Sequence, residues 1–308
     1  MLVIVETEIW PSLIREVART GAPVALVSGR LSEAGARRYR PVGWFIRRVL
    51  RQLTMIAMQG EADAQRMREL GGPEDRMSVL GSLKFARDTA TGPPRARGAR
   101  LALPRERPIF VAASTQPREE EMVLDACQRV WERNPNALLL IAPRRPARFD
   151  EVAGLIAARG LACERRSARG KSVAAATQVF LLDTLGELAD AFPAARAVYV
   201  GGSMGSVGGH NVLEPAVFAR PVSFGPDTHN VEPAAHALLA AGAATRVLDA
   251  NGLGADWLSL LDDPQRAERM GQAARAVVDQ QSAVAERTAE ALLPFLDVDD
   301  VDAEPDNS

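Results

Sequence analysis

Short apolar runs alternate with helical stretches along most of the chain, and this alternation limits the fold more than any other feature. Apolar runs such as "PVALVS" and "TMIAMQ" are each followed by a stretch with helical periodicity, and the pattern returns at "PIFVAAS", "ALLLIAP", "TQVFLLD" and "ARAVYVGG". Strand runs separated by helices of that length indicate crossover units and a parallel sheet. The sequence therefore predicts an α/β fold whose ligand lies outside the carboxyl ends of the strands.

A stretch rich in Pro, Gly and Arg interrupts the alternation at residues 89–107. We interpret it as a linker between two α/β domains, over residues 1–88 and 108–293. A chain of 308 residues is long enough for two such domains. The last twelve residues, "DVDDVDAEPDNS", are acidic and lack aromatics, and the segment 294–308 that contains them is predicted to form a disordered tail.

Composition narrows the classes of partner. A net charge of -2 gives no overall attraction to nucleic acid, which is not predicted as a partner. The two cysteines lack metal-ligand spacing, and His210 has no second ligand nearby, so we predict neither a metal site nor a cofactor. No apolar run approaches the roughly 18 residues of a membrane helix. The chain opens inside the apolar run "MLVIV", which indicates either an edge strand or a start midway through a domain.

The stretch "GGSMGSVGGHNVLEP" places five glycines directly after a strand and before a helix. Glycines let backbone amides approach a phosphate, and a helix N-terminus stabilises its charge. Asn211 can cap that helix, while Glu214 can complete a capping box or bind a ribose diol. A simple helix cap and a nucleotide site both remain open on this chemistry alone.

A second strand, loop and helix start is predicted at "LLDTLGEL". Asp183 or Thr184 can cap a helix here, which is the generic interpretation. Alternatively, the backbone of Leu185 and Gly186 contacts a base.

Two further motifs follow strands in the second domain. In "IAPRRPARF", Arg144 comes directly after a strand, where a fixed bidentate cation suits a phosphate, whereas Arg145 and Arg148 are predicted to be solvated. In "AASTQPREEE", Ser114 and Thr115 precede a helix opened by proline and three acids, a good capping sequence in any protein.

Charged side chains also follow strands in the first domain. Glu6 and Glu8 in "VETEIWP" can stabilise an oxocarbenium-like centre or act as a base, or they are exposed glutamates before a helix. Lys84 in "GSLKF" can neutralise a leaving phosphate, although an isolated lysine is a weak signal. The basic, aromatic stretch "WFIRRVLRQL" either lies on an anionic membrane surface or packs an apolar stripe on the sheet.

Taken in order, the motifs "ETEIWP", "SGRLSE", "GSLKF", "AAST", "APR", "DTLGEL", "VGGS", "GGHNVLEP" and "GPDTHN" resemble those of the 3-deoxy-D-manno-octulosonic acid (Kdo) transferases, over about residues 3–290. The resemblance implies a GT-B glycosyltransferase fold with two Rossmann-like domains, the N-terminal one incomplete here. It implies CMP-Kdo as donor, the tetraacyl disaccharide precursor of lipid A as acceptor, and an inverting, metal-independent reaction. It also implies a place on the cytoplasmic side of the bacterial inner membrane.

The resemblance assigns roles to individual positions. Glu214 would bind the ribose hydroxyls, Glu6 and Lys84 would stabilise the transition state, and Arg30 would line the cleft. The implied CMP-binding residues are Pro143, Arg144, Leu185, Gly186, Glu187, Asn211, Val212, Leu213 and Glu214, with Ser114, Gly209 and His210 as further cleft positions.

The chain also departs from the family pattern. The family's general base lies in a glycine-preceded glutamate motif early in its first domain, and its members carry an N-terminal hydrophobic anchor; neither motif is matched here. Two alternatives therefore stay open: a GT-B transferase that uses a uridine-diphosphate sugar, and a donor-binding remnant without catalysis. The number of Kdo residues transferred depends on acceptor geometry and does not follow from these motifs.

Overall fold

A computed structural model describes residues 1–6, 9–83, 101–168 and 173–296. The chain divides into two compact units, the first formed by Met1–Ala90 with Gln280–Ser308 and the second by Thr91–Asp279. Residues 280–293, which the sequence analysis assigned to the second domain, thus cluster with the first unit. Most of the predicted linker and acidic tail lies outside the described residues.

The described part of the first unit contains a four-stranded parallel sheet in the order β1-β2-β3-β4. Its strands are β1 (Leu2–Val5), β2 (Val24–Gly29), β3 (Met55–Met58) and β4 (Met77–Val79). Its helices are α1 (Pro11–Arg19), α2 (Glu33–Tyr39), α3 (Gly43–Leu50) and α4 (Glu61–Glu69).

Burial differs along this sheet. Every residue of β2 and β3 is buried, as expected for strands covered on both faces. In β1 only Ile4 is buried, and Val3 and Val5 are exposed. Helix α1 begins with Pro11. The amide of a first helical residue has no acceptor within the helix, so a proline at this position loses no hydrogen bond.

The described part of the second unit contains a seven-stranded parallel sheet in the order β11-β10-β9-β5-β6-β8-β7. Its strands are β5 (Ile109–Thr115), β6 (Leu138–Pro143), β7 (Cys163–Arg165), β8 (Val179–Leu181), β9 (Ala195–Val200), β10 (Val222–Phe224) and β11 (Ala244–Arg246). Its helices are α5 (Glu119–Arg133), α6 (Phe149–Ala158), α7 (Leu213–Val217), α8 (Glu232–Ala240) and α9 (Ala250–Asp262), and α10 (Pro264–Leu292) begins in this unit.

The centre of the second sheet is fully apolar. All residues of β6 are buried, and Phe110 of β5 stacks on Trp257 of α9 with ring centroids 5.0 Å apart. The predicted α/β architecture with parallel sheets is confirmed. The sequence does not predict β7, because "CER" is a short polar segment without the apolar pattern of a strand. Of the described helices, none is long and apolar enough to span a bilayer.

Candidate functional site

A cavity of about 260 Å³ lies at the carboxyl edge of the second sheet. It brings together predicted site residues from three separate motifs: Ser114, Arg144, His210, Asn211 and Glu214. The carboxyl ends of parallel strands meet at one edge of a sheet, which explains how positions about a hundred residues apart converge. The remaining lining residues are Ala113, Leu188, Phe192, Val200 and Pro215.

Gly201 lets the ends of β9 and β5 approach closely. A Cβ atom at this position would lie 2.6 Å from the Ser114 carbonyl oxygen and 2.8 Å from the Thr115 Cα atom. Ser114 itself has a φ of 54°, in the left-handed region that residues with a Cβ seldom adopt. Such strain at a strand end is concentrated at binding sites and is held by surrounding contacts.

The carboxylate of Glu119 supplies those contacts. One oxygen accepts hydrogen bonds from the backbone amides of Gln116 and Gly202, each at 2.8 Å. The other accepts from the amides of Ser203 at 3.0 Å and Met204 at 3.1 Å. The side chain is only 2% exposed, so these bonds form away from water, where an unpaired carboxylate would be costly. The glycine loop is therefore fixed by a buried acid on helix α5.

Tyr199 completes the network around Glu119. Its hydroxyl donates to the same carboxylate at 2.9 Å. Burial raises the pKa of Tyr199, with the charge of Glu119 acting in the same direction, so the phenol keeps the proton that it donates. The sequence alone predicts a capping role for the acids of "PREEE", because a local pattern does not contain their long-range partners.

The neighbouring acid, Glu120, is also fully buried. Its carboxylate accepts from Arg148 at 2.6 Å and from Thr115 at 2.8 Å. Burial raises the pKa of Glu120, and the hydrogen bonds from Arg148 and Thr115 oppose that rise. The prediction that Arg148 is solvated is wrong, because this arginine is the charge partner of a buried acid and is only 11% exposed.

The "GPDTHN" segment holds the other end of the glycine loop. Asp227 accepts from the Gly208 amide at 2.9 Å and from the His229 ring at 2.7 Å, and Asn230 donates to the Val207 carbonyl at 2.6 Å. The hydrogen bond from His229 lowers the pKa of Asp227. The glycine loop is thus held by hydrogen bonds with two segments, one at Glu119 and one at "GPDTHN".

The helix after the glycine loop begins at Leu213 and has five residues. The Asn211 side chain accepts from the amide of Leu213, the first helical residue, at 3.0 Å, whereas the N-cap position itself is occupied by Val212. Glu214, in the first turn, is exposed and lines the cavity, whereas Val212 and Leu213 are buried. A ribose contact by Glu214 stays a prediction.

Arg144 is the cation of this cavity, and His210 lies beside it. Gln116 lies 3.0 Å from the Nε2 atom of His210, and since an amide nitrogen only donates, that ring nitrogen accepts. Burial, followed by the charge of Arg144, lowers the pKa of His210, so its imidazole is neutral at pH 7. Arg144 is exposed and forms no ion pair with any described residue.

The loop after β8 is shaped by ion pairs. Asp183 is buried and accepts from Arg165 at 2.7 Å, and Glu187 accepts from Arg166 at 2.7 Å. The hydrogen bond from Arg166 lowers the pKa of Glu187. The predicted helix start at Asp183 is wrong, because these side chains bond to β7 and the segment after it, and only a short 3₁₀ turn follows at Leu188–Asp190.

Leu185 and Gly186 form the tip of this loop. Leu185 is 72% exposed, and Gly186 has a φ of 83° with open space where a Cβ would be. The tip is therefore free to contact a flat group. Its contact with a base stays a prediction.

The predicted residues of the first unit lie at the ends of its strands. Glu6 follows β1 with a φ of 64° and an exposed side chain, and Arg30 follows β2 and is exposed. Lys84 and Glu8 lie outside the described residues. Across the described ranges, no group of three His, Cys, Asp or Glu side chains is arranged to hold a metal ion.

Comparisons with known proteins identify the family of the chain. Residues 1–87 match the family model for 3-deoxy-D-manno-octulosonic-acid transferase (kdotransferase). The chain is 37% identical to a 3-deoxy-D-manno-octulosonic acid transferase from Bordetella pertussis, over 95% of this chain and 68% of that protein. It is 32% identical to the enzyme of that name from Haemophilus influenzae, over 96% of this chain and 70% of the relative.

Solved structures support the fold of both units. The C-terminal CMP-Kdo binding domain of WaaA from Acinetobacter baumannii is 31% identical, with a TM-score of 0.54, and covers 63% of this chain and 97% of its own. A UDP-N-acetylglucosamine 2-epimerase structure from Listeria monocytogenes covers 94% of this chain and 73% of its own, at 14% identity and a TM-score of 0.56. The second likeness concerns the GT-B fold alone. Sequence, family model and relatives agree that the chain belongs to the Kdo transferase family of glycosyltransferases.

Proposed function

We propose that the chain transfers Kdo from CMP-Kdo to the tetraacyl disaccharide precursor of lipid A, by an inverting, metal-independent reaction. The observation that carries the donor assignment is the cavity at the carboxyl edge of the second sheet, which joins Arg144, Glu214 and a glycine loop with fixed backbone. The likeness of this unit to a CMP-Kdo binding domain supports the same ligand.

The cavity residues suit the parts of CMP. The Glu214 carboxylate is an acceptor for the two ribose hydroxyls, and Arg144 is a bidentate donor for the phosphate. The neutral ring of His210, half-buried beside Arg144, adds no second positive charge next to the phosphate. Leu185 offers an exposed apolar side chain to the cytosine ring, and the remaining contacts of Pro143, Gly186, Val212 and Leu213 are with backbone atoms. Because Glu187 is paired with Arg166, we assign it to shaping this loop.

The reaction then follows from charge. The acceptor hydroxyl attacks the anomeric carbon of Kdo, the bond from that carbon to the CMP phosphate oxygen breaks, and a carboxylate base takes the hydroxyl proton. Positive charge develops on the sugar ring and negative charge on the departing phosphate. We assign stabilisation of the first to Glu6 and of the second to Lys84 and Arg144. Arg30 is assigned to the carboxylate of the donor sugar or a phosphate of the acceptor.

We further place the enzyme on the cytoplasmic face of the inner membrane, where a lipid acceptor is located. Helix α3 buries Ile46, Val49 and Leu50 against the first unit's core, as the packing interpretation expects. The same helix leaves Trp44 76% exposed and Phe45 40% exposed. Aromatic side chains beside Arg47, Arg48 and Arg51 are typical of surfaces that contact anionic lipid.

Nucleotide titration tests the donor assignment. CMP is expected to bind more tightly than UDP, and Glu214→Ala is expected to weaken CMP about 10–100-fold, since a charged hydrogen-bond acceptor is lost. The matched control is Glu232→Ala, an exposed acid in the first turn of α8, which is expected to bind CMP like the wild type. Tighter binding of UDP would favour the uridine-sugar alternative, and equal CMP affinity for Glu214→Ala would remove the ribose assignment.

Turnover is tested separately from binding. The chain is incubated with CMP-Kdo and the tetraacyl acceptor, and the lipid product is analysed by mass spectrometry, which also counts the Kdo residues added. A mass increase that corresponds to Kdo is expected. CMP binding without any product would favour a donor-binding protein that lacks catalysis.

A further inference from the structure

The second unit has another cavity, at the opposite edge of its sheet. Its volume is about 790 Å³, and it lies beside the amino ends of β5 and β9. It shares no lining residue with the cavity at the carboxyl edge. A volume of this size is in the range of small-molecule sites.

The charge of this cavity is unbalanced. Its lining contains four arginines, Arg105, Arg107, Arg196 and Arg220, and two glutamates, Glu106 and Glu268. The guanidinium of Arg107 is already occupied, because it donates to the carbonyl oxygens of Asn136 at 2.7 Å and Thr177 at 2.6 Å. Arg107 therefore shapes the wall.

Arg220 is held in place and incompletely paired. Its Nη2 atom donates to the Pro193 carbonyl at 2.7 Å, which fixes the guanidinium. Its Nε atom is buried and has no hydrogen-bond partner among the described residues. This donor is therefore not satisfied by the part of the chain that the structure describes.

Arg196 places a second positive charge near the first. The two arginines come from neighbouring segments, since the Val198 amide donates to the Pro221 carbonyl oxygen at 3.0 Å, and both line this cavity. In agreement, burial, followed by the charge of Arg196, lowers the pKa of Arg220. Neither arginine forms an ion pair in the described part of the chain. An anion that binds between two adjacent guanidinium groups lowers the electrostatic repulsion between them.

We propose that the cavity at the amino edge of the second sheet binds a phosphate group, held between Arg196 and Arg220. Guanidinium groups bind phosphate oxygens through paired, charge-assisted hydrogen bonds. The volume accommodates more than the phosphate, so the ligand is a phosphorylated small molecule or the phosphorylated headgroup of a lipid. This site is independent of the donor assignment, because it lies at the other end of the strands.

Titration calorimetry with inorganic pyrophosphate tests the proposal on the full chain. We expect saturable binding that Arg196→Gln weakens at least about tenfold, the effect of losing one charge-assisted bond pair. Arg196→Lys keeps the positive charge but loses the paired donors of the guanidinium group. Its affinity for pyrophosphate is expected to lie between those of the wild type and Arg196→Gln. Thermal melts of each variant establish that it is folded.

Two controls locate the binding. Arg133→Gln removes an exposed arginine beside the cavity, at the end of α5, and is expected to leave pyrophosphate binding unchanged. Arg144→Gln removes the cation of the donor cavity, so retained pyrophosphate binding in that variant assigns the ion to the amino edge. Wild-type binding that Arg144→Gln abolishes and Arg196→Gln leaves intact would overturn the proposal, as would no saturable binding at all.

A vesicle arm distinguishes the two sources of phosphate. Vesicles of phosphatidylcholine with and without phosphatidylglycerol are sedimented with wild type and Arg196→Gln. Loss of sedimentation in the variant identifies a lipid headgroup as the ligand. Equal sedimentation of both, together with weaker pyrophosphate binding by the variant, identifies a free phosphorylated molecule.

Discussion

The two sheets end in very different ways at their carboxyl edges. In the second unit, the loops after β5, β9 and β10 are tied by Glu119 and Asp227, which accept hydrogen bonds from the loop backbone. In the described part of the first unit, the loop after β2 is held by a bond from the Leu31 amide to Asp63 at 2.8 Å, while Ser28 and Gln59 link the ends of β2 and β3. Glu6 is exposed, and its side chain forms no ion pair with a described residue.

Under the proposed function, this difference separates binding from chemistry. A loop whose backbone is fixed before the ligand arrives loses little entropy on binding, so we assign donor affinity to the second unit. An exposed charge at the end of a strand contributes little to stability and is free to act on a transition state. Four changes test whether the two edges are divided in this way.

The largest effect is expected from Glu119→Gln. It removes the charge from a buried side chain that accepts bonds from several amides, and it adds donors where donors already point. We expect the free energy of unfolding to fall by about 3–5 kcal/mol. Urea denaturation followed by circular dichroism measures it.

The control for this change is Glu132→Gln, an exposed acid on the same helix. It is expected to alter stability by less than about 0.5 kcal/mol. If the two variants unfolded at the same urea concentration, the loop would be held by something other than Glu119.

Gly201→Ala is the next largest. The new methyl group would collide with the Ser114 carbonyl, which is backbone and cannot turn aside, so a loss of about 2–3 kcal/mol is expected together with weaker CMP binding. Gly205→Ala, in the same loop, has open space at its Cβ and is expected to behave like the wild type. Equal stability of both variants would contradict the close approach of β5 and β9.

Glu6→Ala probes the other edge. Because this side chain is exposed and unbonded, the free energy of unfolding is expected to stay within about 0.5 kcal/mol of wild type. Turnover of CMP-Kdo is expected to fall about 100-fold, corresponding to about 2.7 kcal/mol of transition-state stabilisation. A variant that lost stability but kept its turnover would reverse our comparison of the two edges.

The smallest effect concerns Arg166→Gln and pH. Arg166 lowers the pKa of Glu187 in the folded state, so their pairing stabilises the fold above the unfolded pKa of about 4.3 and is lost as pH falls through the lower folded value. We expect the variant to lose about 1 kcal/mol at pH 7 and progressively less as pH falls from about 4 toward 3. Urea denaturation at both pH values measures the difference. The control is Arg145→Gln, because Arg145 is exposed and forms no ion pair with a described residue.

The sequence predicted which residues line the cavity better than it predicted which residues hold those in place. Ser114, Arg144, His210 and Glu214 line one cavity, as motifs placed after strands of a parallel sheet should. Glu119 was not assigned to this site, since an acid near a helix start looks the same whether it caps the helix or binds a distant loop.

The errors share one cause. Arg148 was expected in solvent and Asp183 at a helix start, yet each bonds to residues that approach it only after folding. Local patterns report strand and helix periodicity directly. They do not show which charged side chains pair in the folded protein. The family resemblance identifies residues of interest but not the partners of those residues.

The bonding of Glu119 has a consequence for hydrogen exchange. The amides of Gly202, Ser203 and Met204 all donate to one buried carboxylate. Their protons therefore exchange with solvent through a single shared opening, and the three rates should respond together to any ligand that occupies the neighbouring cavity. The exchange rates of these amides therefore measure how often the glycine loop separates from the Glu119 carboxylate.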